Sequence, residues 1–154
     1  MTSFSTVYSN FLNKITDDMY MELTPEDTNG MLKDLMLNAL HHFEFPRQDI
    51  YAFSEDEEAF TADLTLEEQN IIGTYMVVEW MGYQLASIEN IRMKYSGSDF
   101  KFTSQANHMS KVLQLRKDYE RQGFHLQRLY KRRKADSETG VMKSTFAQIM
   151  EVHD

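Results

Sequence analysis

The stretch TLEEQNIIGTYMVVEWMGYQL, residues 65–85, decides the fold. Thr65 and Glu68 have the spacing of a capping box, in which the hydroxyl and the carboxylate reciprocally satisfy free amides at a helix start. Beyond Gln69 and Asn70 the run IIGTYMVVEWMGY, residues 71–83, is apolar almost all round, with Thr74 and Glu79 as the exceptions. A helix with no polar face is covered on every side, so this one is central, and it is expected from about Thr65 to Tyr95. Gly73 and Gly82 each cost roughly 1 kcal/mol against alanine in a helix interior, which points to a closely approaching neighbour. Glu79 is either a buried acid held by an arginine or a hydroxyl, or an acid at an interface or surface. It has no partner nearby in sequence that would make it a catalytic carboxylate.

Towards the C-terminus, YSGSDF (95–100) reads as a turn. Gly97 is free to take the left-handed conformation that ends a helix, and Phe100 and Phe102 anchor the crossing. Thr103 or Ser104 caps a second long helix, expected from about Ser104 to Lys134. Val112, Leu115, Tyr119, Leu126 and Leu129 give it a seam suited to antiparallel packing on the central helix, with Gln122 as an interruption and a basic face opposite. KRRK, residues 131–134, falls in its last turn, where cations meet the negative end of the helix dipole.

Towards the N-terminus, DIYAFSEDEEAFTAD (49–63) breaks the helical period. Ile50 to Phe53 can be extended, and SEDEE is a solvated acidic loop. Before it, Thr24 and Pro25 open a helix with Asp27 as a short capping-box acid, and Leu32, Leu35, Met36, Ala39, Leu40 and Phe43 form its buried stripe up to Pro46. Phe4, Val7, Tyr8, Phe11, Leu12 and Ile15 mark a first short helix. The fold class is therefore all-α, a small helical bundle with two long antiparallel helices and shorter N-terminal ones over residues 1–134. A C-terminal tail, 135–154, follows. In it Met142, Phe146, Ile149 and Met150 lie at helical spacing after the joint ADSETG, ready to dock on another chain or to fold back on this one.

Composition narrows the chemistry. With 0 cysteines there is no disulfide, thiolate metal site or thiol catalysis. No 18-residue apolar run spans a membrane, and MTSFSTVYSN lacks the basic flank and apolar core of a signal peptide, so a soluble chain not secreted by that route is expected. The net charge of -8 is divided: residues 1–68 hold 15 acids and 3 bases, whereas residues 92–134 hold 12 bases and 3 acids. Such polarity suits head-to-tail contacts between complementary surfaces, although two ordinary solvated faces would look the same and a basic helix can also follow nucleic acid.

Candidate reaction centres fail on spacing. Ser98, Asp99, Ser104 and His108 are the letters of a hydrolase triad, but no GxSxG elbow or preceding strand frames them, and a serine at a helix start is explained by capping. His41 and Glu44 are three apart in the reverse order of a bundle di-iron Glu-x-x-His pair and have no second copy. His108 and His125, seventeen apart on one helix, are roughly 25 Å from each other, too far to share an ion. His42 and His153 add no further cluster. GxxxxGK[ST] and GxGxxG are absent. Neither an enzyme nor a cofactor or metal site is expected.

The order of parts carries a resemblance. An acidic helical N-terminal half, a capping box opening a helix with MVVEWMGYQ, a turn with SDF and a second helix opening with TSQANHMSKVLQL resemble head-tail connector (neck adaptor) proteins of tailed bacteriophages. The resemblance covers residues 4–134 and is most specific over 65–116; residues 135–154 match nothing in it. It implies a structural virion protein, assembled in the host cytoplasm and located in the virion neck, that forms a ring, commonly twelve-fold, beneath the portal protein. Such a ring extends the channel through which genomic DNA passes non-specifically and docks the tail or other neck proteins. Candidate partner-facing residues are Arg116, Arg128, Lys131, Arg132 and Arg133 on the basic helix, and Met142, Phe146, Ile149 and Met150 in the tail. The competing expectation is a small helical DNA-binding or regulatory protein that uses Arg116, Lys117, Arg121, Arg128 and the KRRK cluster, with Tyr119 and Tyr130 among them.

Overall fold

A computed structural model describes residues 1–15, 25–94, 102–135 and 142–144, with side chains over 1–15, 28–87 and 106–133. It is an all-α bundle with two small sheets, one of three short strands and one of two. In chain order the elements are β1 (Thr2–Ser3), α1 (Phe4–Leu12), α2 (Pro25–Leu40), β2 (Phe53–Ser54), β3 (Ala59–Phe60), α3 (Leu66–Lys94), α4 (Phe102–Arg132), β4 (Arg133–Ala135) and β5 (Met142–Ser144).

The capping box forms at the start of α3. Thr65 N donates to Glu68 Oε2 at 2.8 Å and Glu68 N donates back to Thr65 Oγ1 at 3.2 Å. From Ile71 to Val78 every residue is buried, and α1, α2 and α4 all pack against α3. Thr74, the polar residue in this run, donates its hydroxyl to Asn70 O one turn back at 2.7 Å, so it is buried without an unmet donor. Gly73 admits α1: a β-carbon there would collide with the Asn10 amide oxygen and lie 3.3 Å from Phe11 N. Gly82 is different, because the nearest atom to a β-carbon there is the Arg116 guanidinium carbon at 3.8 Å. The close-neighbour reading of the glycines therefore holds for Gly73 and not for Gly82.

Helix α1 buries Phe4, Val7 and Phe11, at the expected spacing of four and three. The chain then leaves the helix at Asn13, and Ile15 stays packed against the core. The stripe of α2 is buried throughout, from Leu32 to Leu40 and on to Phe43. That helix ends at Leu40, six residues before Pro46, so proline is not what stops it. His41, His42 and Phe43 instead donate their amides to Asn38, Ala39 and Leu40 carbonyls, a tightened last turn of i to i−3 bonds. The Thr24 and Asp27 caps lie outside the described side chains.

Residues 49–63 hold a hairpin. β3 pairs antiparallel with both β2 and β1, in the order β1-β3-β2. Of Ile50 to Phe53, expected to be extended, only Phe53 is strand, Ser54 of the expected loop continues it, and Ile50 is a buried turn residue. The rings of Phe4, Phe53 and Phe60 meet edge to face at 5.1 to 6.5 Å, which fixes the hairpin to the N-terminus of α1. Its tip, Glu55 to Glu58, is exposed. Glu58 has φ 46°, the left-handed region, which costs a residue with a β-carbon roughly 1–2 kcal/mol. Its carbonyl is held by Phe4 N at 2.8 Å.

Helices α3 and α4 run antiparallel: Gly82 faces Arg116, Tyr75 faces Gly123 and Gln127, and Glu68 meets Tyr130. The seam on α4 differs from the expected one. Val112, Gly123, Gln127 and Tyr130 are its buried positions, with Arg116, Tyr119 and Leu126 beside them, whereas Leu115 is 41% exposed. Of the expected seam, Val112, Tyr119, Leu126 and Leu129 stay at least half-buried and only Leu115 turns out, while Gly123 joins the stripe by letting the Tyr75 ring approach the backbone. Phe102 is already helical, so Thr103 and Ser104 lie inside the first turn rather than ahead of it. The turn they were expected to close, and their side chains, lie outside the described residues. At the far end Lys131 and Arg132 are in the last turn of α4 as expected, but Arg133 and Lys134 have passed into β4. β4 pairs with β5, placing Met142 opposite Ala135. Met142 is thus in a strand that folds back beside the end of α4, not in a helix; Phe146, Ile149 and Met150 lie outside the described residues.

Candidate interaction surface

The side chains that hold α4 in place separate its inner face from its outer one. Gln127 is the key inward residue: its Nε2 donates to His42 O at 2.8 Å and to Tyr75 Oη at 2.7 Å, and its Oε1 accepts from Glu44 N at 2.9 Å. One turn on, the Tyr130 hydroxyl donates to Glu68 Oε1 at 2.6 Å and accepts from Arg47 N at 2.8 Å. The Arg47 guanidinium lies 4.1 Å above the Tyr130 ring and donates to the Tyr130 carbonyl. Glu68 therefore serves two partners, one oxygen closing the capping box and the other receiving Tyr130. Burial, and then the bond to Glu68, holds the Tyr130 phenol well above the ordinary tyrosine range. Burial likewise raises Tyr75.

Beside this lock, His42 stacks on Tyr75 with ring centroids 4.9 Å apart and an interplanar angle of 2°, and its Nε2 lies 2.6 Å from Glu79 Oε1. The partner of Glu79 is thus a histidine from the end of α2, rather than an arginine or a hydroxyl. The pair is partly open to water, with side chains 39% and 23% exposed.

Three of the candidate partner-facing bases are engaged within the chain. Arg116 lies along the packing side of α4, near Gly82, and reaches Glu120 at 3.9 Å. Lys131 sits 3.8 Å over the Phe45 ring and 3.4 Å from Glu44, and Arg133 is 3.9 Å from Glu67. Arg128 and Arg132 face solvent, as do Lys117 and Arg121, and Arg121 is 3.6 Å from the exposed Asp118. Lys117, Arg128 and Arg132 make no ion pair among the described residues. Tyr119 and Tyr130, placed by sequence among the surface bases, turn inward: Tyr119 donates to Lys14 O at 3.2 Å and Tyr130 is 1% exposed. His108 and His125 are exposed on α4, and among the described residues no group of three metal-ligating side chains converges. No described helix is long and apolar enough to cross a membrane.

The residues that sequence reasoning missed are Gly123 and Gln127. A local signal exists, since Val112, Arg116, Tyr119, Gly123, Gln127 and Tyr130 continue one face at spacings of four and three. Reading that face required accepting a glycine and a glutamine as core positions. The chain matches no family model, no curated protein and no solved structure.

Proposed function

We propose that this chain is a structural subunit of a virion neck, a head-tail connector adaptor that assembles as a ring beneath the portal protein, prolongs the DNA channel and offers the tail a docking surface. The observation that carries the proposal is the one-sided attachment of α4. This helix of 31 residues, about 46 Å at 1.5 Å per residue, is fastened to the bundle along one face and leaves a long charged face outward. A small bundle with a long, rigid, unshared helix face is suited to side-by-side contact with copies of itself, and the sequence resemblance over residues 4–134 gives that contact its setting. The locked inner face matters here, because Gln127 and Tyr130 keep the outer face in a fixed orientation.

Mass photometry of the purified chain, alone and mixed with its candidate portal protein, tests the proposal, with electron microscopy of the mixture to count subunits. Ring-sized particles are expected; a monomer under both conditions would refute the ring. The alternative, a DNA-binding protein, draws on the outward placement of Lys117, Arg121, Arg128 and Arg132. It predicts measurable duplex affinity with a log–log salt slope of about −3 to −4, the counterions that four cations can release. An adaptor shows little affinity for free duplex.

A further inference from the structure

The outer face of α4 has a pattern finer than general basicity. Lys117, Arg121, Arg128 and Arg132 follow at intervals of four, seven and four. At 100° per residue they fall within about 60° of one another, opposite the buried Val112 and Tyr130, in a stripe about 22 Å long. None of the four packs into the bundle. The same chain carries the reverse charge in one compact place, the exposed β2–β3 tip with Glu55, Asp56, Glu57 and Glu58. Only Glu55 of these has an ion-pair partner among the described residues, Lys33 at 3.5 Å.

Within one molecule the stripe and the tip do not meet. The tip is tied to the start of α1 by the Phe4 N to Glu58 O bond and the phenylalanine cluster, while the stripe points away from the bundle that contains α1. Complementary surfaces fixed on different sides of one rigid subunit satisfy each other only between subunits. Such a contact is heterologous, and it closes into a ring when its rotation divides the circle.

We infer that the α4 stripe of one copy receives the acidic β2–β3 tip of the next copy. The inference rests on the adaptor reading above and supplies the contact that reading leaves open. An acidic protein segment suits the stripe better than nucleic acid does. The stripe holds only four cations, one of them shared with Asp118 at 3.6 Å, and it belongs to a chain of net charge -8. The contact lies at the surface, so it weakens with salt as the screening length falls from about 10 Å at 0.1 M to about 3 Å at 1 M.

Two charge-reversed full-length proteins test it: Arg121→Glu with Arg128→Glu and Arg132→Glu, which leaves the stripe net negative, and Asp56→Lys with Glu57→Lys and Glu58→Lys, which leaves the tip net positive. All six side chains are exposed, and circular dichroism should show both proteins folded as the wild type. Each alone is expected to weaken self-assembly by about a hundredfold, because like charges then face each other. Mixed in equal amounts they are expected to recover wild-type particles, since each reversed stripe meets a reversed tip in the alternate copy. Assembly of either variant at wild-type strength, or failure of the mixture to recover, overturns the contact while leaving a ring of another design. If wild type assembles neither alone nor with the portal protein, the adaptor reading falls as well. If the stripe variant assembles normally but loses binding to a DNA duplex that wild type binds, the stripe is a polyanion surface and the inference is wrong.

Discussion

The two halves of the α3–α4 pair are built differently. In the half around Glu68, Tyr75, Gly123, Gln127 and Tyr130, backbone and side chain approach so closely that a β-carbon on Gly123 would lie 2.7 Å from the Tyr75 ring, and the polar atoms of Gln127 and Tyr130 are engaged. In the half around Gly82 and Arg116 a β-carbon meets nothing closer than 3.8 Å. Tyr83, Leu113 and Leu115 are exposed there, and Arg116 Nε is buried without a hydrogen-bond partner among the described residues. One half is locked by bonds to residues 42–47 and the other is held by ordinary contact. Stability and rigidity should therefore be graded along the pair, which is what local opening free energies measure.

The largest break in this contrast comes from Gln127→Leu, which strands the Glu44 amide, the His42 carbonyl and the Tyr75 hydroxyl together. At roughly 1–3 kcal/mol for the buried Tyr75 hydroxyl left unmet and less for each of the two part-buried backbone groups, a loss of about 3 kcal/mol is expected in urea unfolding. A loss below about 1 kcal/mol would mean that water replaces the amide there.

Alkaline pH attacks the same half from another side, together with Tyr8 on α1. Burial raises Tyr75 and Tyr130, and Tyr8 is pushed up to about 12, by burial first and then by Glu58 and Asp34. A phenol whose folded pKa exceeds its unfolded value contributes stability in full below about 10, and that contribution is lost as pH rises through the folded value. Thermal melts should hold steady in this respect up to about pH 10 and fall between there and 12. In Tyr130→Phe that alkaline fall should be shallower, although the protein is less stable at neutral pH.

Glycine substitutions sharpen the comparison directly. Gly123→Ala forces the Tyr75 ring and its bond to Gln127 to move, an overpacking cost of about 1–3 kcal/mol. Gly82→Ala meets only ordinary contact with the Arg116 guanidinium at 3.8 Å and should stabilise by roughly 0.5–1 kcal/mol through helix propensity. Opposite signs in chemical denaturation support the graded packing; equal signs would contradict it. The smallest effect belongs to Glu79→Gln, which weakens a partly exposed bond to His42 and should cost under about 1 kcal/mol.

The locked half is also where sequence was hardest to read. The Thr65–Glu68 box, the α2 stripe and the encircled run 71–78 are local patterns, each decided within a few residues, and each formed as expected. The Gln127 bonds span 83 and 85 residues, and nothing periodic announces such a bond. A glutamine in an apolar stripe reads as an interruption until its partners are known. Tyr130 read as an aromatic among surface bases for a related reason, since its neighbours Arg128, Lys131 and Arg132 point elsewhere. On the candidate surface the basic character of the outer face was legible, but which bases are already spent was not. Lys131 finds partners at Phe45 and Glu44 and Arg133 at Glu67, and these follow from tertiary placement alone, whereas Arg116 pairs locally with Glu120 one turn on.

The reach of Gln127 and Tyr130 back to residues 42–47 bears on how the chain matures during synthesis. Until α4 has left the ribosome, the end of α2 lacks the groups that satisfy His42 and Glu44, Glu68 lacks its buried donor, and one flank of α3 is uncovered. At 5–20 residues per second the last third of the chain takes a few seconds to appear, and for that time the apolar run 71–78 is incompletely shielded. A nascent chain stalled before residue 123 should thus be protease-sensitive and bound by chaperones, whereas one released past residue 132 should close its bundle in a single cooperative step.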